Sequence, residues 1–256
     1  SMASKAGVDV TEESSLRFIA VFACVRILSE TLASLPLPVY RRLMPGGKER
    51  APAHRLYQLL HDVPNPEMDS FLFRETLQNH LGLWGNAYCE IEDDQVDRIK
   101  ALWPIPPRRV EVKRPRPQEA LQYHVRLPTG QEQVLPASRV FHIRFFSLTG
   151  VKGLSPIGLM REAIGLGLAT EEFGSRFFSG DARPGVVLEH PGALSPTAHS
   201  RLKESWEEKH QGLERSHRMD ILEEGMKLHE VGIPPEDAQF LETRRFQVNE
   251  IARAYR

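Results

Sequence analysis

Three observations predict an α+β fold. Five short strand-like runs follow one another between residues 87 and 146 with no helix pattern between them. Capped helices flank that stretch, and a second set of helices and strands follows residue 154. Consecutive short strands joined by proline- and glycine-bearing turns imply an antiparallel sheet.

In order, Thr11 with Glu12 and Glu13 starts a helix, because the hydroxyl caps free N–H groups and the acids face the positive end of the dipole. Leu16, Ile19, Ala23, Ile27 and Ala20, Cys24, Leu28 then recur at helical spacing on two faces, so this helix is expected to be central. Residues 35–40 read as an extended segment that its prolines confine to a sheet edge, and Pro45-Gly46-Gly47 reads as a turn. Asp69-Ser70 opens a helix with Phe73, Leu77 and Leu81 on its apolar side and Gly85 as a left-handed C-cap. Strands are expected at 87–92, 99–103, 110–113, 123–127 and 140–146.

Ser155-Pro156 is an N-cap with proline at the first helical position, and a long helix is expected to run towards Phe178 with Leu159, Ala163, Leu166, Phe173 and Phe177 as its apolar side. Gly158, Gly165, Gly167 and Gly174 each cost about 1 kcal/mol relative to alanine inside a helix, so close helix approach or a bend must offset them. A strand at 184–189, a helix capped by Ser195 with a stripe of Ala198, Leu202, Trp206 and Leu213, a hairpin around Glu224-Gly225 and a final helix after Pro235 complete the chain. The final helix carries Leu241, Val248, Ile251 and Tyr255 on one side. The organisation is a globular body, a long helix out, a small α/β module and a helix back.

The chain has 256 residues, 41% apolar and 26% charged, and 33 basic residues against 34 acidic ones leave a net charge of −1. No basic excess draws it onto phosphate backbones, so high-affinity nucleic-acid binding by the isolated chain is not expected. Cys24 and Cys89 lie in apolar stretches and read as free thiols of a reducing compartment. No run is long enough for a membrane span, and no signal peptide is read before the first helix. Ser1 ahead of Met2 reads as an expression remnant, and the helical pattern at Arg256 as that of a fragment.

The motifs of catalysis fail residue by residue. Pro45-Gly46-Gly47-Lys48 lacks the glycine spacing and the following Ser or Thr of a phosphate loop, and Gly153-Leu154-Ser155-Pro156 lacks the second glycine of a nucleophile elbow. No histidine pair has the spacing of a helical zinc site, and His142 and His190 read as structural or surface residues. The pairs Glu12/Glu13, Glu207/Glu208 and Glu223/Glu224 read as helix starts and solvated faces. Trp84, Trp103 and Trp206 read as core anchors rather than stacking platforms. The basic cluster from Arg108 to Arg116 reads as a solvated loop or a contact with DNA or an acidic partner. No cofactor and no metal ligand set follows.

Several segments, in order, carry a resemblance. They are residues 22–28 with 32–37 and 39–42; His61 to Pro66 with Phe71; Leu83-Trp84-Gly85-Asn86-Ala87-Tyr88; Leu102-Trp103-Pro104; Gly153-Leu154-Ser155-Pro156-Ile157; Arg176-Phe177-Phe178; Pro191-Gly192; and Glu236 to Arg244. The chain resembles phage portal proteins of the Hong Kong ninety-seven type over essentially its whole length. That resemblance implies a twelve-subunit ring at one capsid vertex, with wing, stem, clip, tunnel loop and crown around a channel for double-stranded DNA, which passes without sequence-specific binding. It implies a wing-like body over 1–153, a first stem helix over 154–183, a clip module over 184–235 and a truncated second stem helix over 236–256.

The resemblance also implies docking partners: the terminase large subunit, a head-completion or adaptor protein, and the capsid protein, with assembly in the host cytoplasm and residence in the virion. On it rest three sets of residues. Arg201, Lys203, Glu204, Glu207 and Glu208 are the expected clip partner surface. Gly158, Gly165, Gly167 and Gly174 are expected to pack stem helices, and Glu242, Arg245 and Arg253 to face the channel. Two other classes compete, a packaging-associated nuclease or hydrolase, which needs clustered acidic or histidine ligands, and a monomeric interaction module, which a mass measurement separates.

Overall fold

The structure is a computed structural model that describes residues 3–94, 98–179, 186–189, 192, 195, 197–198, 200–201, 227–230 and 237–255. The chain divides into two compact units, Ser1–Gly165 with Gln247–Arg256, and Leu166–Phe246. The fold is α+β, with helices and antiparallel strands.

The Thr11 cap forms, with its hydroxyl accepting from the Ser14 N–H and the Ser14 hydroxyl accepting from the Thr11 N–H. The expected single helix is instead two, α1 (Glu12–Ser15) and α2 (Ile19–Ser34). The break places Phe18 in extended backbone and buries it, so tertiary packing overrides a helical period that runs on through the break. Only one face of α2 is covered, by Ala20, Val21, Val25, Ser29 and Ala33, while Ile19 and Ile27 are each 61% exposed.

Residues 35–39 join no sheet. They lead into a two-stranded ribbon, β1 (Tyr40–Arg42) and β2 (Lys48–Arg50), turned by the expected Pro45-Gly46-Gly47 loop. After α3 (Arg55–Tyr57) and a wider turn over Gln58–Asp62, α4 (Ser70–Trp84) begins at the Asp69 cap and ends at Gly85, as its signals predict. Gly85 has φ 70, in the left-handed region that glycine enters without a Cβ penalty.

The strands form two three-stranded sheets rather than one. β3 (Asn86–Asp93) lies between β4 (Ile99–Ile105) and β8 (Val140–Arg144). β5 (Val110–Lys113), β6 (Gln122–Arg126) and β7 (Glu132–Pro136) make the second sheet. β7 carries one buried residue, Leu135, so its polar sequence gives no strand signal.

The alternation of β3 explains the layers. Ala87 and Cys89 point to α4, where they cluster with Phe73 and Leu77 of that helix and with Leu102 of β4. Tyr88, on the opposite face, joins Tyr123, Val125 and Leu135 of the second sheet and Val140 of β8. Each large apolar side chain buried in these clusters contributes roughly 1.5–3 kcal/mol. Cys24 and Cys89 are free thiols, and burial pushes Cys89 up to about 12. Trp84 and Trp103 are only partly buried rather than core anchors, and the Trp103 indole N–H donates to the Glu92 carboxylate, 2.7 Å away. Trp206 lies outside the described residues.

Beyond the sheets, α5 (Pro156–Leu159) is capped by Ser155 as expected, yet the helix stops at Met160 and restarts as α6 (Arg161–Ser179). The stripe expected inside is the outer one: Leu159 and Leu166 are 68% and 48% exposed, whereas Ile157 and Ile164 are buried. β9 (Val186–Glu189) pairs antiparallel with β10 (Lys227–Glu230), while the expected strand at 219–222 lies outside the described residues. The final helix, α7 (Asp237–Ala254), buries Ile251 and Gln247. No described helix is long and apolar enough to cross a membrane.

Candidate functional site

Two buried asparagines fasten together segments that lie far apart in the chain. Asn86, at the start of β3, donates from Nδ2 to the Gly153 carbonyl (2.8 Å) and the Trp84 carbonyl (3.0 Å). Its Oδ1 accepts from the Gly153 N–H (2.7 Å) and faces His142 Nε2 at 3.1 Å. All four hydrogen-bonding positions of a buried amide are thereby filled.

Gly85 and Gly153 make this junction possible. A Cβ on Gly85 would stand 1.9 Å from the Leu154 carbonyl oxygen, and one on Gly153 would stand 2.0 Å from that of Gly85. The Phe145 N–H donates to the Gly85 carbonyl (2.9 Å) and the Leu154 N–H to the Phe146 carbonyl (2.8 Å), tying the end of β8 to both. Ser155 then accepts from the Gly158 N–H and donates to the Leu83 carbonyl (2.9 Å), so one hydroxyl starts α5 and holds it to the end of α4. The segments 83–88 and 153–157, both singled out in the sequence, meet here.

His142, half-buried, belongs to the same junction. Asn86 Oδ1 only accepts, so Nε2 carries the proton and Nδ1 accepts from the Tyr123 hydroxyl at 3.1 Å. The ring lies 4.3 Å from that of Tyr88. Burial, followed by Arg144 and Lys152, lowers its pKa to about 3, which keeps the ring neutral.

Asn65 makes the second fastening. Its Nδ2 donates to the Leu102 carbonyl (2.9 Å), the Leu102 N–H donates to the Pro64 carbonyl (2.9 Å), and its Oδ1 accepts from the Glu67 N–H (2.9 Å). Segments 61–66 and 102–104 are joined in this way.

The geometry of the long helices follows. At Gly165 a Cβ would stand 2.3 Å from Ser4 Oγ, so the close approach there is to the N-terminal segment of the same chain. The Lys5 N–H donates to Glu162 at 2.9 Å beside it. Gly158 is exposed and would touch only Ser155, while Gly167 and Gly174 are buried. The far end of α7 closes on α4, where the Tyr255 hydroxyl donates to the Gly82 carbonyl at 3.0 Å. Arg244 on α7 pairs with Glu171 on α6 at 3.1 Å.

Glu242, Arg245 and Arg253 are all exposed. At 3.6 residues per turn they share the side of α7 opposite Ile251 and Gln247. Arg201 is exposed, and Lys203, Glu204, Glu207 and Glu208 lie outside the described residues. Among the described residues no three His, Cys, Asp or Glu side chains stand close enough to share a metal ion. Sequence reasoning missed both asparagines, since an asparagine after glycine or proline reads as a turn residue.

The model of the phage portal protein family matches residues 19–256. The probable portal protein of Streptomyces phage phiC31 is 36% identical over 264 residues, spanning 97% of this chain and 56% of that protein. The portal protein of Enterobacteria phage HK97 is 27% identical over 248 residues, spanning 96% and 58%. The chain spans little more than half the length of these curated relatives. Among solved structures, a chain of the neck of an empty gene transfer agent particle, computed with sixfold symmetry, matches with a TM-score of 0.71 and 24% identity over 96% of this chain and 69% of that one. The crystal structure of an HK97 family phage portal protein from Corynebacterium diphtheriae matches with a TM-score of 0.63 and 16% identity over 96% and 77%. These likenesses establish the fold.

Proposed function

Since this chain belongs to the phage portal protein family, we propose that it is part of one subunit of the ring at a capsid vertex through which double-stranded DNA is packaged and ejected, with a structural and not a catalytic role. The observation that carries the reading is the family match over residues 19–256, which takes in the body and both long helices together.

In this reading the body to residue 153 is wing, 154–183 and 236–256 are stem, and 184–235 are clip. The Asn86 junction supports it, because it ties residues 153–157, the segment that leads into the first stem helix, to the body. Large apolar residues left exposed on and after α2, among them Ile19, Ile27 and Leu35, supply area for a neighbouring copy. Gly167 and Gly174 are the glycines best suited to packing between stem helices, since Gly165 already meets Ser4 and Gly158 faces outward. Glu242, Arg245 and Arg253 would face the channel with mixed charge, which lets a polyanion slide.

The clip helix, with Arg201, Lys203, Glu204, Glu207 and Glu208, would dock the terminase large subunit during filling and a head-completion protein afterwards. The capsid protein would hold the ring in the virion after assembly in the host cytoplasm. Light scattering on the 256-residue chain and on the complete gene product tests the core of this. A mass of about twelve subunits for the complete product is the expected result, and a monomer for both would overturn it.

A further inference from the structure

The ribbon at residues 40–50 has a sorted charge pattern that no packing requirement explains. It holds Arg41, Arg42, Lys48 and Arg50 against the single acid Glu49, a net of +3 in a chain whose total is −1. Its register pairs Tyr40 with Arg50, Arg41 with Glu49 and Arg42 with Lys48. By the two-residue alternation of strands, Tyr40, Arg42, Lys48 and Arg50 share one face, and the Arg41–Glu49 ion pair (3.1 Å) occupies the other. All the surplus charge is therefore on one side.

That arrangement is unfavourable for folding. Arg42 lies directly opposite Lys48, a like-charge cross-strand pair that destabilises an antiparallel ribbon. All six strand residues are exposed, so burial does not offset the cost. Lys48 Nζ stands 4.7 Å from the centre of the Tyr40 ring, and Arg42 and Arg50 have no ion-pair partner among the described residues. Tyr40, Arg42, Gly47 and Lys48 line a shallow depression on this face.

The other basic segment is built differently. Arg108 pairs with Glu13, Lys113 with Glu111 and Arg116 with Glu119, and Arg114 donates to the Glu119 carbonyl. Apart from Arg109, its cations are engaged within the chain, whereas Arg42 and Arg50 of the ribbon are left for a partner.

We propose that the Tyr40, Arg42, Lys48 and Arg50 face of the ribbon is a sequence-independent contact for the phosphate backbone of double-stranded DNA, the choice of polymer resting on the portal reading. Arginine forks match phosphate oxygens, and a two-stranded ribbon has the width of a duplex groove. The face lacks the apolar centre of a protein–protein interface, since Leu43 and Met44 sit in the loop beyond it. Three cations give a small contact whose log K falls with log salt by about 2.7, so it holds DNA loosely and lets it move.

The test is fluorescence anisotropy of a labelled 25-bp duplex of arbitrary sequence, titrated with the 256-residue chain at 50 and 200 mM salt. Affinity is expected to weaken roughly 40-fold over that range. The triple variant Arg42→Glu, Lys48→Glu, Arg50→Glu is expected to lose at least about tenfold at 50 mM and most of the salt slope. The variant Arg108→Glu, Arg114→Glu, Arg116→Glu is expected to bind as the wild type does. Equal binding by wild type and ribbon variant overturns the proposal, as does a wild type that binds polyglutamate but not the duplex, which would assign the face to an acidic protein. Because the ribbon is wholly exposed, an unchanged melting temperature separates loss of contact from loss of fold. Ribbon-dependent binding by a chain whose complete product stays monomeric would leave this contact standing and remove the ring.

Discussion

The junction around Asn86 and the ribbon at residues 40–50 spend their residues in opposite ways. At the junction two glycines and a buried amide leave no room and no unfilled hydrogen-bonding position on that amide. On the ribbon every strand residue is exposed, and like charges face each other. The first arrangement makes a shape that tolerates no substitution, and the second makes a surface whose residues matter only to a partner. Stability and interaction are thus written in different parts of one domain.

The largest expected effect breaks the junction sterically. Gly153→Ala or Gly85→Ala puts a methyl group about 2 Å from a carbonyl oxygen, and we expect a loss of more than about 3 kcal/mol, read by chemical denaturation or by failure to recover soluble protein. Retention of the wild-type melting temperature in either variant would show that the junction is looser than described.

Asn86→Ala comes next, because it strands the Gly153 N–H and its carbonyl, the Trp84 carbonyl and His142 Nε2. A loss of about 2–4 kcal/mol is expected, from roughly 1–3 kcal/mol for each buried group left unpaired, less what relaxation recovers. In the Gly153→Ala background the Asn86→Ala effect should shrink, since both changes break one unit.

Protonation of His142 is a milder probe of the same place. The folded ring takes up a second proton only below about pH 3, and an unfolded histidine does so below about 6.5. Between those values the unfolded chain takes up a proton that the folded chain refuses, so stability is full above the upper value and falls as the pH drops through the window. Burial lowers His80 to about 4, which adds in the same direction. Melting curves at pH 7 and 4.5 should show a smaller drop for His142→Gln than for the wild type. The smallest effect belongs to the ribbon, where Arg42→Glu should change stability by less than about 0.5 kcal/mol; a larger loss would mean that the ribbon contributes to the core after all.

Local signals were legible wherever one residue does one job. Gly85 as a C-cap, Asp69 and Ser155 as N-caps and the Pro45 turn all stand where the sequence places them. Periodicity was less informative, because it finds apolar stripes without saying which is covered. Leu159 and Leu166 head the more regular stripe of their helix, yet Ile157 and Ile164 are the buried pair. The breaks at Phe18 and Met160 were hidden for the same reason, since the apolar period runs through both. Asn86 and Asn65 were invisible as fastenings because their partners are 67 and 37 residues away. The family segments signalled them indirectly, since those segments are the ones that the asparagines join.

The bond from Tyr255 to the Gly82 carbonyl spans 173 residues. On a ribosome adding about 5–20 residues per second, on the order of ten to thirty seconds separate synthesis of the two ends. Throughout that interval the site that Ile251 and Tyr255 will cover stands open on a body otherwise able to fold. Until residue 255 is added, a Tyr255→Phe chain is identical to the wild type, so its defect is expected in the finished molecule, as a lower melting temperature.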